Sequence, residues 1–213
     1  MAKMQRYEYM RRFLLYGEMY MNTLQTFAKM DECDGIGDKF ENSIAYTFYD
    51  LKSISETKDI SNLMALSIRE YIETNKGNIY SMALVDCNID GGKISIQDES
   101  LISSIGSNYD TIVIIANYKE FLSRCKKTVS DLGFTLYSSK VDYFSENEYY
   151  NKKLEITPFM KRDKYKSQNE FRLFVDFNSY SPQIIKIGNI SDIAFLIHKS
   201  GICSLNDELP ESI

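Results

Sequence analysis

The chain has 213 residues, 44% of them hydrophobic and 26% charged. That is enough to bury a sizeable core and lies at the upper end of what one domain normally holds, so a single globular domain over 1–213 is expected. A formal net charge of −5 and a pI near 5.1 argue against a duplex-DNA binder, whose phosphate contacts need a concentrated positive surface.

No apolar run approaches the ~20 residues of a membrane span, and the start of the chain, with Arg6, Glu8, Arg11 and Arg12, holds no signal-peptide core. A cytoplasmic protein without membrane contact is expected. The cysteines Cys33, Cys87, Cys125 and Cys203 are far apart and form no CxxC pair, which predicts reduced thiols and neither a zinc knuckle nor a dithiol centre.

In chain order, residues 6–16 (RYEYMRRFLLY) carry helical spacing that stops at Gly17. Glu18–Asn22 reads as a short extended piece and Thr23–Met30 as one or two helical turns. Residues 31–42 form an acidic, glycine-punctuated loop that does not fit the calcium-loop template, so no metal is assigned to it. Its Gly-Asp-x-Phe-Glu pattern predicts an inward Phe40, with Asp38 and Glu41 capping backbone amides. Strands are expected over Ser43–Tyr49, Ile68–Ile72, Asn78–Cys87, Thr111–Asn117, Thr135–Phe144, Glu170–Phe177 and Ile184–Ile187, from their β-branched and aromatic content. Asn78–Cys87 should be interior, because its apolar residues cannot all be hidden on one face.

Helices are expected over Asp98–Ile105, Tyr118–Asp131 and Asp192–Lys199. His198, the only histidine, falls at the end of the last and reads as structural. Gly91-Gly92 reads as a plain turn, and no phosphate-cradling glycine pattern occurs. Strands outnumber helices without a regular βαβ rhythm, so the predicted class is α+β, with a mixed, mainly antiparallel sheet and flanking helices.

Residues 152–166 gather Lys152, Lys153, Lys161, Arg162, Lys164 and Lys166 against Glu155 and Asp163, a patch suited to an anionic ligand. This polar, basic loop runs into a strand beginning at Gln168, whose alternation sets Gln168, Glu170 and Arg172 on one face and Phe171, Leu173 and Val175 on the other. An amide, a carboxylate and a guanidinium in one row make a candidate site. The plain alternative is a surface Glu170–Arg172 ion pair, worth a few tenths to roughly 1 kcal/mol. Tyrosine is abundant, 16 residues, with Tyr7, Tyr9, Tyr16 and Tyr20 at the start and Tyr143, Tyr149, Tyr150 and Tyr165 around the basic patch. Such rings can stack on a base, with core packing as the alternative.

These motifs carry two resemblances. Gly17 to Phe27, Gly37-Asp-Lys-Phe-Glu41, and the Lys-x3-Tyr-x2-Gln-x-Glu-Phe-Arg pattern of Lys161–Arg172 together resemble a broad set of uncharacterised bacterial and prophage proteins. Those proteins carry an Asn-Asp-Pro-Phe-Glu-like motif early and a Lys/Trp…Glu-x-Glu-x-Arg-like motif late. Here Ile36-Gly37 stands in place of the Asn and Lys39 in place of the Pro. The resemblance spans roughly residues 10–195 and implies a phage, toxin or bacterial-defence origin without fixing an activity.

The late motif also resembles the Gln/Glu-x-Glu element of the mono-ADP-ribosyltransferase fold. Gln168 and Glu170 match it, Tyr80-Ser81-Met82 matches the aromatic-Ser-x element of a middle strand, and Arg6, Arg11 or Arg12 would supply the early basic residue, Arg12 being the one assigned. The resemblance implies NAD-dependent ADP-ribosyl transfer or NAD cleavage, with NAD as substrate and no further cofactor required. Glu170 would hydrogen-bond the nicotinamide-ribose hydroxyls and stabilise the oxocarbenium-like state, Gln168 would orient the acceptor, Ser81 and Tyr80 would support the nicotinamide pocket, and the arginine would hold pyrophosphate.

Two other readings stay open. One is a nucleotide or signalling-ligand pocket lined by Lys161, Arg162, Tyr165 and Arg172. The other is a phage or defence domain that meets a protein partner without catalysis. In the site readings, Gln168, Glu170 and Arg172 should share one surface with Ser81, beneath Lys161 and Tyr165.

Overall fold

The computed structural model describes residues 1–30, 37–48, 66–71, 76–90, 93–96, 109–152 and 154–198. Its first half contains β1 (Ala2–Gln5), α1 (Tyr7–Tyr16), β2 (Glu18–Thr23), α2 (Leu24–Lys29), β3 (Ser43–Phe48), β4 (Leu66–Tyr71), β5 (Asn78–Ala83), β6 (Cys87–Asp90) and β7 (Lys93–Ile96). The second half adds β8 (Thr111–Ile115), α3 (Tyr118–Asp131), β9 (Leu136–Lys140), β10 (Asp142–Phe144), α4 (Glu146–Lys152), β11 (Met160–Arg162), a 3-10 helix (Asp163–Gln168), β12 (Glu170–Val175), β13 (Gln183–Lys186) and β14 (Ala194–His198). Every described strand pairing is antiparallel except β10 with β11, so the fold is α+β with a mainly antiparallel sheet.

Strand β5 is the axis of the main sheet. One of its edges is lined by β12 over its full length, from Glu170 opposite Ala83 to Val175 opposite Asn78, and β9 extends the sheet beyond β12. The other edge is divided: β2 pairs with it at Asn78 and Ile79, whereas β1 pairs with it at Ala83. From there the sheet continues through β2 to β13 and through β1 and β8 to β14. Ser81 lies between the two pairings, at a fork, and the Lys3 ammonium reaches across to donate to the Ser81 carbonyl at 2.6 Å.

Strand alternation then assigns the two faces. Tyr80 and Met82 of β5, with Leu173 and Val175 of β12, join the main core, which α1 closes with Met10 and Phe13 and α3 with Phe121, Cys125 and Val129. The Phe13 ring packs against Tyr80 at 5.7 Å and meets Phe121 edge-on at 6.0 Å. Ile79, Ser81 and Ala83 share the opposite face with their partners Phe174, Arg172 and Glu170. A smaller core of Phe40, Phe144, Tyr149 and Ile156 lies near the β3 end, where the Ser43 hydroxyl bonds Tyr149 at 2.9 Å.

Helix α1 ends where predicted. Gly17 adopts φ 59°, returns its N–H to the Arg12 carbonyl, and lies so close to the Gly188 backbone and Ile187 that a β-carbon would collide with both.

The expected strand Asn78–Cys87 is interior, but it stops at Ala83, and a new strand begins at Cys87. Thr135–Phe144 divides at Val141, whose N–H still donates to the Glu170 carbonyl in register with the β9–β12 ladder, but the Glu170 N–H goes to the Tyr143 hydroxyl and β10 pairs with β11 instead. The expected helix Asp192–Lys199 is incorrect. Ala194–His198 is instead β14, because the buried strand β8 offers it a full antiparallel edge, Ala194 opposite Ile115 to His198 opposite Thr111. A short apolar run of this kind suits either state, and the sheet edge decides it. Strand β1, the β6–β7 pair and α4 were not anticipated. The expected helix Asp98–Ile105, the Gly91-Gly92 turn and residues 31–36 of the acidic loop lie outside the described residues.

Candidate functional site

The early acidic turn and the late basic motif meet. Asp38 holds its own turn by accepting from the Phe40 N–H at 3.0 Å, then accepts from the Arg162 backbone N–H at 3.1 Å and from Arg162 Nε at 2.7 Å. Arg162 also reaches Glu146 at 2.7 Å, with its guanidinium over the Phe40 ring at 4.4 Å. Glu41 receives both terminal nitrogens of Arg172, at 2.5 and 3.2 Å. Arg172 further donates to Glu170 Oε2 from Nε at 3.3 Å and Nη2 at 3.0 Å, and to the Pro158 carbonyl at 2.8 Å.

Lys161 completes the cluster. Its ammonium donates to Gln168 Oε1 at 2.8 Å, lies 3.5 Å from Glu170 Oε2, and sits over the Tyr165 ring at 4.5 Å. Tyr165 is itself pinned, its hydroxyl donating to the Gly37 carbonyl at 2.7 Å. Tyr143 accepts the Glu170 backbone N–H at 2.9 Å. Three carboxylates, Asp38, Glu41 and Glu170, thus face three cations, Lys161, Arg162 and Arg172, in a buried lattice. Such a lattice is tolerable only because nearly every charge has an opposite partner and further hydrogen bonds.

Charge states follow from this packing. Burial pushes the Glu170 carboxyl up, but Arg172, Lys161 and hydrogen bonding from Ser81 and Arg172 outweigh it and hold it at about 2. Burial opposes the Arg172 charge, and Glu170 and Glu41 more than restore it. Lys3 is lowered by burial to about 8, with the Glu170 charge pulling the other way. Glu170 is therefore an anion at neutral pH. Its side chain is 11% exposed, against 1% for Glu41 and Arg172 and 2% for Lys161, which makes it the most exposed of the six, while the network meets solvent at Glu146, the partner of Arg162, 54% exposed.

Of the residues proposed from sequence, Gln168, Glu170, Arg172, Ser81, Lys161 and Tyr165 come together. Tyr80 and Arg12 do not. Tyr80 is adjacent to Ser81 on a strand, so its ring points to the opposite, core face; Arg12 lies exposed on α1, paired with Glu18 at 2.8 Å. The surface-pair alternative for Glu170 and Arg172 is overturned by burial, and Glu41 pairs with Arg172 instead of capping an amide. The basic loop is not an open loop either: Lys161 and Arg162 are buried in β11, and Gln168 closes a 3-10 helix, with Asn169 at φ 42° before the strand begins at Glu170.

Sequence reasoning placed Tyr143 near the basic patch without its bond to Glu170, and missed the ion-pairing role of Asp38 and Glu41. The carboxylates carried no local signal, because their partners Arg162 and Arg172 lie 124 and 131 positions away. Among the described residues, no group of three or more His, Cys, Asp or Glu is placed to hold a metal ion, and no helix is long and apolar enough to cross a membrane.

The chain matches no family model, no curated protein and no solved structure.

Proposed function

We propose that the protein cleaves the bond between nicotinamide and ribose in NAD, passing ADP-ribose to water or to an acceptor. The observation that supports this most is Glu170 itself, an anion anchored in a buried charge lattice and its most exposed member, with Ser81 and Gln168 beside it. The reaction develops positive charge on the ribose as neutral nicotinamide departs, so a carboxylate fixed in place before the reaction stabilises that charge without reorganising. Arg172 and Lys161 both approach Oε2. Lys3 lies with Tyr80 rather than with Glu170, its ammonium over the Tyr80 ring at 4.6 Å, so this reading has no early cation beside Glu170 among the described residues.

The test is incubation of the protein with NAD and measurement of free nicotinamide. Release by the natural chain and its loss in Glu170→Gln and Ser81→Ala would support the reading. A thermal stabilisation by NAD without nicotinamide release, equal in Glu170→Gln, would instead favour a nucleotide-binding module. Neither turnover nor stabilisation would sink both.

A further inference from the structure

Strands β10 and β11 run parallel, with Tyr143 opposite Lys161 and Phe144 opposite Arg162. Residues opposite each other in a strand pair share a face, and their chain neighbours take the other. Phe144 and Arg162 turn to Phe40, with the Phe144 ring 6.3 Å and the guanidinium 4.4 Å from its centroid. Tyr143 and Lys161 turn the other way, and both reach Glu170. The Lys161 ammonium lies 3.5 Å from Oε2, and the Tyr143 oxygen takes the Glu170 backbone N–H at 2.9 Å.

The two groups differ in what they have left to give. Lys161 is buried, its ammonium committed to Gln168, Glu170 and the Tyr165 ring. Tyr143 is only partly buried, and a phenol that accepts an N–H keeps its own proton to donate. That proton meets no acceptor among the described residues. Burial pushes the ionisation of the phenol up, so the proton stays on at neutral pH. We propose that Tyr143 binds the substrate at Glu170, donating its hydroxyl proton to a sugar hydroxyl that itself donates to the carboxylate. The inference rests on the NAD reading and adds a residue to its site.

A sugar hydroxyl carries one proton and two lone pairs, so it is satisfied only by an acceptor and a donor together. Ionised Glu170 is an acceptor alone. Of the donors at its carboxylate, Arg172 and Lys161 are buried and paired, and the Ser81 hydroxyl already gives its proton to Glu170. Tyr143 supplies the missing donor. The competing role is a latch, in which Tyr143 only holds the Glu170 main chain and so keeps its carboxylate aimed. The two roles act on different constants: a bond to substrate that persists through the reaction raises KM when it is lost, whereas a misaimed Glu170 lowers kcat.

The test is nicotinamide release as a function of NAD concentration, for the natural chain and Tyr143→Phe, with folding verified by circular dichroism. Tyr143→Met, which also lacks the hydroxyl, takes its place should Tyr143→Phe not fold. The expected result is a KM raised roughly two- to twelvefold, the value of one hydrogen bond, with kcat nearly unchanged. A folded variant with the natural KM, whether or not its kcat falls, overturns the proposal and leaves the NAD reading standing. So does failure of both variants to fold, the mark of a purely structural hydroxyl. Absence of nicotinamide release by the natural chain overturns both.

Discussion

Glu41 and Arg172, separated by 131 positions in sequence, form a two-point ion pair with each side chain 1% exposed. The pair ties the acidic turn to the strand that carries Glu170. Removing Arg172 leaves the buried Glu41 carboxylate without its guanidinium, the most expensive kind of defect in this lattice, whereas removing Glu41 leaves Arg172 with Glu170.

Arg172→Met should therefore cost about 3–5 kcal/mol of stability, read as a lowered midpoint in urea unfolding, and Glu41→Gln about 1–3 kcal/mol. The double variant Glu41→Leu with Arg172→Met should recover much of that loss, since two matched apolar side chains leave no orphan charge. A double variant as unstable as the singles would show that the pair's geometry, rather than its charge balance, holds the turn in place.

Glu170→Gln should be milder, because Arg172 keeps Glu41 and Lys161 keeps Gln168. A loss of about 1–3 kcal/mol is expected from the weakened charged hydrogen bonds. Acid should show the same link. Folding lowers the carboxyl from 4.5 to about 2, so its stabilisation is present above about 4.5 and disappears as pH falls from there through about 2. Unfolding free energies from pH 6 to pH 2 should fall less steeply for Glu170→Gln than for the natural chain; parallel curves would contradict the assignment.

Lys3 gives the opposite slope at the alkaline end. Its amine drops from 10.5 to about 8 on folding, so between those values the unfolded chain holds the extra proton and stability rises with pH. The natural chain should gain roughly 1–3 kcal/mol relative to Lys3→Met between pH 8 and pH 10.5. Denaturant midpoints of the two proteins that move together across this range would refute a buried, depressed Lys3.

Gly17→Ala should lower stability by at least about 1–2 kcal/mol, since an L side chain pays the left-handed penalty at φ 59° and meets backbone at Gly188. Gly188→Ala faces open space and costs only the left-handed penalty at φ 86°, so the Gly17 variant should melt lower of the two in a thermal scan.

How much of this was legible in the sequence depended on the range of the interaction. The helix over Tyr118–Asp131, the stop at Gly17 and the strand at Glu170 are set by neighbours within a few residues, and the pattern shows them. The convergence of Ser81 with Glu170 and Gln168 was readable as a resemblance of types and order. Burial of Lys161 and Arg162 was not, because basic residues read as surface unless their counter-charges are known, and those lie 124 positions away in the case of Asp38 and Arg162. Ala194–His198 failed for a related reason: the edge of β8 that claims it as a strand is far away in the chain.

The separations of 124 and 131 residues across Asp38–Arg162 and Glu41–Arg172 bear on the order of events in time. Contacts between such distant segments must wait for the loop entropy to be overcome, so they close after the local helices and hairpins have formed. Interactions absent from the folding transition state act on the escape rate and leave the folding rate nearly unchanged. Ion pairs that form after that state would act as a late-closing clasp and lengthen the native molecule's lifetime before it opens, a faster unfolding arm with an unchanged folding arm in Arg172→Met being the mark of it.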